Sequence, residues 1–264
     1  MALRLLVTRP QPQADSWVER LRAQGVDAQA LPLLAIDAVA DTGALQAAWH
    51  DLKRYALAMF VSPNAVSHFF AARPVTSIAS AWPAATRAAA TGPGTLQALH
   101  SAGVPPALCI APPPDAAQFD STALWARLRG ETWIGRDVLV LRGDGGRDEF
   151  AAHLRQAGAS VHFVQAYRRG PASLGAAERR LLDAALAQPQ RHVWWLSSAE
   201  AVGYLPQFAP GADWRAARAL ASHPRIAARA RDIGFGHVFE APPTLDAVRD
   251  SLLRIEGCLQ SSPP

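Results

Sequence analysis

The sequence predicts an α/β fold: two similar doubly wound parallel-sheet domains joined by a two-stranded hinge, with a cleft between them. Three observations lead there. The chain has 264 residues, long for one ordinary domain and ample for two of about 130. One strand–turn–helix pattern recurs in the same order at a nearly constant offset. Half the residues (50%) are apolar and only 18% are charged, enough to cover a parallel sheet on both faces.

The first unit opens with Leu5-Leu6-Val7, a short apolar strand ending at Thr8-Arg9-Pro10. A helix with Trp17, Val18 and Leu21 at helical spacing follows and stops at Gly25. Its copy is Val138-Leu139-Val140-Leu141, ending at Arg142-Gly143-Asp144-Gly145-Gly146-Arg147, with a helix through Phe150 and Leu154 that stops at Gly158. The second unit is Ala58-Met59-Phe60-Val61 into Ser62-Pro63-Asn64-Ala65-Val66; its copy is Val193-Trp194-Trp195-Leu196 into Ser197-Ser198. The third is Ala88-Ala89-Ala90-Thr91 into Gly92-Pro93-Gly94 and a helix ending at Gly103, copied as Leu220-Ala221-Ser222 into His223-Pro224-Arg225 and a helix ending at Gly234. The fourth pairs Ala111-Pro112-Pro113 with Ala241-Pro242-Pro243, each before a closing helix, over 120–128 and 244–254. Repeated βα units of this kind dictate parallel sheets with helices on both faces. The stretches 30–36 and 161–167 read as extended and suit a paired hinge; the tail from Gln260 to Pro264 reads as disordered.

Composition narrows the function. No apolar run approaches the ~18–20 residues that span a bilayer, so no membrane is expected. Only Met1-Ala2-Leu3-Arg4 precedes the first strand, which is no secretory signal, and a cytoplasmic location is the expectation. Cys109 and Cys258 show no metal-ligand spacing and read as buried thiols. The net charge is +4 and nearly all of the positive charge is arginine, Lys53 being the one lysine. That suits an anionic ligand, since the guanidinium fork matches carboxylates and phosphates; a plain arginine bias of the coding sequence explains it equally. No basic run with interleaved aromatics points to nucleic acid.

In doubly wound sheets the ligand meets the loops at the strand C-termini. Helix N-termini there bind anions through free backbone N–H groups and the dipole, without needing a particular side chain. Gly143, Gly145 and Gly146 would let backbone approach a ligand closely. Ser62, Thr95 and Ser198 supply hydroxyls, or equally N-caps. Arg9, Arg142, Arg147 and Arg225 supply forks for carboxylates, or surface charge. His223 is a base or, with Pro224 beside it, a backbone element. Gly143-Asp144-Gly145-Gly146 and Gly92-Pro93-Gly94 both lack the pattern of a dinucleotide or phosphate loop, and there is no Gly-x-Ser-x-Gly elbow or His-x-x-x-His pair. Metal and nicotinamide chemistry are therefore disfavoured. An enzyme, a non-catalytic two-lobed module binding an anionic small molecule, and a transferase for a phosphorylated substrate stay open.

Taken in order, Thr8-Arg9-Pro10, Phe60-Val61-Ser62-Pro63-Asn64-Ala65-Val66, Gly92-x-x-Thr95, Phe119-Asp120-Ser121, Leu141 to Arg147, Tyr167, Ser197-Ser198 and His223-Pro224-Arg225-Ile226-Ala227 resemble the uroporphyrinogen-III synthases over essentially the whole chain. The resemblance implies a crossed topology: residues 1–34 plus 172–264 form one domain, 40–163 the other, and 35–39 with 164–171 the hinge strands. It implies hydroxymethylbilane as substrate, a linear tetrapyrrole with eight carboxylates, closed to uroporphyrinogen III with loss of water and inversion of ring D, without cofactor or metal. It makes Tyr167 the candidate proton donor, with a packed hinge aromatic as the other reading. Substrate-binding positions follow at Thr8, Arg9, Pro10, Ser62, Asn64, Gly92, Gly94, Thr95, Arg142, Gly143, Asp144, Gly145, Arg147, Ser197, Ser198, His223, Arg225 and Ile226. Ile226 stands where the first copy has Thr95, so the second turn relies on backbone N–H groups or Arg225. A monomer is the default state.

Overall fold

The computed structural model describes residues 3–74, 81–113, 120–145 and 148–261, the side chains of 260 and 261 excepted. The chain divides into two compact units, Met1–Ile36 with Gly170–Pro264, and Asp37–Arg169.

The first unit holds a parallel sheet in the order β12-β11-β10-β1-β2. Its strands are β1 (Arg4–Val7), β2 (Ala28–Ala30), β10 (His192–Leu196), β11 (Arg218–Ala221) and β12 (His237–Glu240). β1 lies beside β10, with Leu5 opposite Val193 and Leu6 opposite Trp194, so the first strand–helix unit belongs with the C-terminal stretch. Successive side chains point to opposite faces of a strand, and both faces are buried here. Leu6, Trp194, Leu196, Ala219 and Ala221 enter one core, under α7 (Ala176–Ala187), α8 (Ala199–Gly203) and α10 (Pro224–Ile233). Leu5, Val7, Val193, Trp195 and Leu220 enter the other, under α1 (Gln13–Ala23) and α11 (Leu245–Ser261).

The second unit holds a parallel sheet in the order β6-β5-β4-β7-β8. Its strands are β4 (Tyr55–Phe60), β5 (Arg87–Ala90), β6 (Cys109–Ile110), β7 (Asp137–Arg142) and β8 (Ser160–Gln165). Strand for strand, with β1 matching β7, β10 matching β4 and β11 matching β5, it is the first sheet again, so the duplicated sequence is a duplicated sheet. One face packs Leu57, Met59, Val138 and Val140 against α5 (Ser121–Leu128) and α6 (Glu149–Gln156). Phe60 packs against Phe69 of α3 (Pro63–Ala71), which stacks on Trp49 of α2 (Gly43–His50). α4 (Pro93–Ser101) follows β5, and β3 (Leu34–Ala38) pairs with β9 (Tyr167–Pro171) in a third, two-stranded sheet.

Three expectations change, and two strands are added. The closing helix expected over 244–254 runs to Ser261, because Leu252 and Ile255 continue its buried stripe; Gln260 and Ser261 are therefore helical rather than disordered, and 262–264 lie outside the described residues. Cys258 is exposed on that helix and Cys109 is only half-buried, so neither is a fully buried thiol. The extended stretches 30–36 and 161–167 are each broken, β2 and β8 completing the main sheets before β3 and β9 begin. β6 and β12, which the repeat did not reveal, are a two-residue strand and a largely exposed edge strand. Among the described residues no helix is long and apolar enough to cross a membrane.

Candidate active site

The strand C-termini of each unit lead directly into helix N-termini, and the same capping position is filled four times. Ser62 caps α3, its Oγ accepting from Ala65 N–H at 3.2 Å. Ser198 caps α8 identically, accepting from Ala201 N–H at 3.2 Å. Gly92 caps α4 and His223 caps α10, the imidazole Nδ1 accepting from Arg225 N–H at 3.1 Å. His223 thus serves the backbone, and both serines are caps. Thr95 and Ile226 occupy the same place in their helices and both point inward, at 3% and 8% exposure. Asn64 and Gly94 sit in the first turns of α3 and α4.

In the second unit these ends surround a cavity of about 450 Å³ lined by Ser62, Arg142, Gly143, Gly145 and Tyr167. Asn64, Gly92, Gly94 and Thr95 stand on the same sheet edge but do not line it. Tyr167 is 6% exposed, and its phenol is held from three directions. Ser62 Oγ donates to its Oη at 3.1 Å, across 105 residues of sequence. His68 stacks on its ring at 5.9 Å between centroids. The Cα of Gly143 lies so close to the ring that a Cβ there would stand 2.7 Å from Cε2 and 2.9 Å from Cζ. Burial pushes the His68 imidazole below its usual range, against a smaller upward pull from Asp37, so the ring beside the phenol is neutral at neutral pH. Either hydroxyl can donate in this bond; with Ser62 as the donor, the Tyr167 proton is free to face the cavity.

The loop 142–145 is anchored to β9. Asp144 accepts from Arg169 N–H at 3.0 Å, and its carbonyl accepts from the Arg169 guanidinium at 2.9 Å. Arg142 pairs with Asp148 and lies over the Phe163 ring at 4.1 Å. Gly145 has φ +68 with open space around it, so its glycine is demanded by backbone conformation rather than by crowding. A valine there is expected to cost about 1–2 kcal/mol and to shift the loop, read as a lowered Tm together with weaker ligand binding. Ser62→Ala removes both the cap and the phenol's donor. A stability loss of about 1 kcal/mol is expected, with a larger loss in turnover than capping alone explains. Restoration of both by threonine would separate these roles from a packing effect. Thr91, Asp120, Ser121, Phe163 and Arg169 also line the cavity and were not among the sequence candidates. The Phe119-Asp120-Ser121 motif was the available signal for two of them. Arg147, Gly146 and Phe119 lie outside the described residues.

In the first unit, Thr8, Ser197 and His223 follow the adjacent strands β1, β10 and β11. Thr8 is buried and its hydroxyl donates to the Trp195 carbonyl at 2.6 Å, so it serves the sheet. Pro10 carbonyl accepts from Ala14 N–H at 3.0 Å and opens α1. Arg9 is half-buried over the Trp17 ring at 5.0 Å, and its hydrogen bonds among the described residues go to the neutral Gln13 Oε1, at 3.0 and 3.3 Å. Burial pushes its guanidinium pKa down. A partly desolvated cation facing only an amide is a ready partner for an anion. Ser197 is half-buried and Arg225 is exposed. Among the described residues no three His, Cys, Asp or Glu side chains converge as metal ligands.

A family model described as uroporphyrinogen-III synthase HemD matches residues 15–249. The uroporphyrinogen-III synthase of Salmonella typhimurium is 33% identical over 165 residues, covering 62% of this chain and 64% of that protein. The chain thus matches a little under two thirds of that relative's length. The uroporphyrinogen-III synthase of Proteus mirabilis is 28% identical over 172 residues, 62% of this chain and 79% of that protein. Two solved structures share the fold. A mutant uroporphyrinogen III synthase from Thermus thermophilus superimposes with a TM-score of 0.58 over 99% of this chain and 100% of its own, at 16% identity. The uroporphyrinogen-III synthetase of Helicobacter pylori gives 0.58 over 98% and 100%, at 14% identity. With a family model covering most of its length and a repeated parallel sheet matching both structures, the chain belongs to the uroporphyrinogen-III synthase family.

Proposed function

We propose that the chain is a uroporphyrinogen-III synthase, a hydro-lyase that closes hydroxymethylbilane to uroporphyrinogen III with loss of water and inversion of ring D. Family membership supports the reaction, and one observation carries the assignment of the chemistry: a tyrosine hydroxyl in a cavity wall, held at 3.1 Å by the Ser62 hydroxyl. The hydroxyl on the ring A methylene leaves as water only if it gains a proton, and Tyr167 Oη–H supplies it. The phenolate that remains is stabilised by the Ser62 hydroxyl. The substituted carbon of ring D attacks the azafulvene cation; the spiro intermediate fragments and recloses. The proton lost when ring D regains aromaticity returns to the phenolate, and the residue ends as it began.

The rest is positioning. In the second unit a substrate carboxylate suits the helix N-terminus of α3; taken by itself, the first unit offers the Arg9 guanidinium, whose neutral neighbour Gln13 leaves its charge uncompensated. Arg9→Gln is expected to raise KM about tenfold while kcat changes little, the signature of a charge-assisted bond made equally before and during reaction. The expected setting is the cytoplasm, and a monomer is the working form. The direct test is the rate at which fresh hydroxymethylbilane disappears. Saturable acceleration by the protein supports the assignment; disappearance at the spontaneous rate overturns it.

A further inference from the structure

The first unit contains a second cavity, of about 420 Å³, remote in sequence from Tyr167 and its neighbours. Its floor is one face of the two outermost strands. Arg218 stands opposite His237 and Leu220 opposite Phe239 in the β11–β12 register, and alternation puts all four side chains on the same face. Its wall is a stripe of α11 at helical spacing: Ser251, Arg254, Ile255, Cys258 and Leu259. α11 packs into the core through Leu245, Val248, Leu252 and Ile255, and Cys258 and Leu259 on its last turns stay exposed. Phe239 and Leu259 are 43% and 41% exposed, two of the four large apolar side chains that are exposed among the described residues.

The polar groups are placed unevenly. Glu256 accepts from Leu3 N–H, just ahead of β1, so α11 runs back toward the strand N-termini and brings Arg254 to the end where Arg218 and His237 stand. Among the described residues Arg218 donates only to the Pro189 carbonyl at 3.5 Å, and Arg254 only to Ser251 Oγ at 2.8 Å. Neither has a carboxylate partner among the described residues, and burial depresses the Arg218 pKa. Glu240 borders the opposite end of β12, where alternation turns its side chain to the other face from Phe239. Ligand pockets commonly combine such an apolar body with a few convergent polar groups, in about 300–1,000 Å³.

We propose that this cavity is a small-molecule site for an amphipathic organic monoanion, its aromatic or branched apolar body between Phe239 and Leu259 and its carboxylate or sulfonate at Arg218 and Arg254. The two arginines stand together at one end of the cavity and Phe239 and Leu259 line its body, which suits a single anionic group on an apolar frame. The site needs neither the bilane nor Tyr167.

The probe is 8-anilinonaphthalene-1-sulfonate, an aromatic monoanion, added to the intact protein. One dye is expected to bind per chain. Arg218→Leu should weaken it about tenfold, and so should Arg254→Gln, on an exposed helix position that tolerates change. Leu259→Asp should abolish binding. Saturating dye should slow alkylation of Cys258 by N-ethylmaleimide, followed by peptide mass, and leave Cys109 unchanged. Bilane turnover should be unaffected by Arg218→Leu. Absence of dye binding, binding that survives all three substitutions, or unchanged Cys258 alkylation under saturating dye would each overturn the proposal. A dimer in sedimentation that excludes the dye would overturn it too, assigning the face to a second copy.

Discussion

Tyr167→Phe is expected to lower kcat about a hundredfold or more while leaving the fold and KM nearly intact, the range that a positioned proton donor contributes. The substitution removes one oxygen from a ring that is otherwise held by packing. The ring keeps its contact with His68 and its seat against Gly143. Ser62 loses an acceptor but is only half-buried and can turn to water, so stability should change by no more than about 1 kcal/mol. Stopped turnover with an unchanged thermal midpoint is thus the signature of chemistry at the hydroxyl. An unchanged kcat would return Tyr167 to a packing role, the other reading open to an aromatic at this place in the sequence.

Gly143→Ala is expected to do comparable damage by a different route. The added Cβ would stand 2.7 Å from the Tyr167 ring, and the ring has little room to yield, with His68 on it and Ser62 at its hydroxyl. Either the loop or the phenol moves. Overpacking of this kind costs about 1–3 kcal/mol, and a displaced phenol no longer presents its proton to the cavity. Because both substitutions act through the same hydroxyl, they should not multiply. Gly143→Ala placed in the Tyr167→Phe background should add little further loss of kcat. Full multiplicative losses would mean that Gly143 acts on the ligand directly, by the close backbone approach its sequence suggested.

The fold was legible to the extent that its signals are local. Apolar runs such as Val193-Trp194-Trp195-Leu196 are strands buried on both faces, and the helix stops at Gly25, Gly103, Gly158 and Gly234 all fall at positive φ. The repeat foretold two like sheets but not which strands share one, since a duplicated pattern is the same whether its copies stay sequential or exchange β1 for β7. That came from resemblance, and the pairing of β1 with β10 is its physical form. Edge elements escaped notice because they carry little apolar pattern: His237–Glu240 is mostly exposed.

The site was legible in position and less so in role. Resemblance offered Thr8 as a ligand contact, and its hydroxyl satisfies a strand carbonyl; His223, open in sequence to a base or a backbone role, caps a helix. Unpaired backbone groups at strand and helix ends must be satisfied by something, and short polar side chains are what lies nearest. The contacts that define the phenol join Ser62, His68 and Gly143 to Tyr167 across long stretches of chain, and no spacing rule reports those. Gly143, which the sequence offers as room for a ligand, also leaves room for a tyrosine ring.

If this cavity directs ring closure of hydroxymethylbilane, as proposed, rather than merely binding an anion, the protein sets which isomer forms. The isomer composition of the product tests it most directly. Incubation with freshly made hydroxymethylbilane, oxidation, and separation of the uroporphyrin isomers should give predominantly type III. Type I alone, the product of unassisted closure, would contradict it.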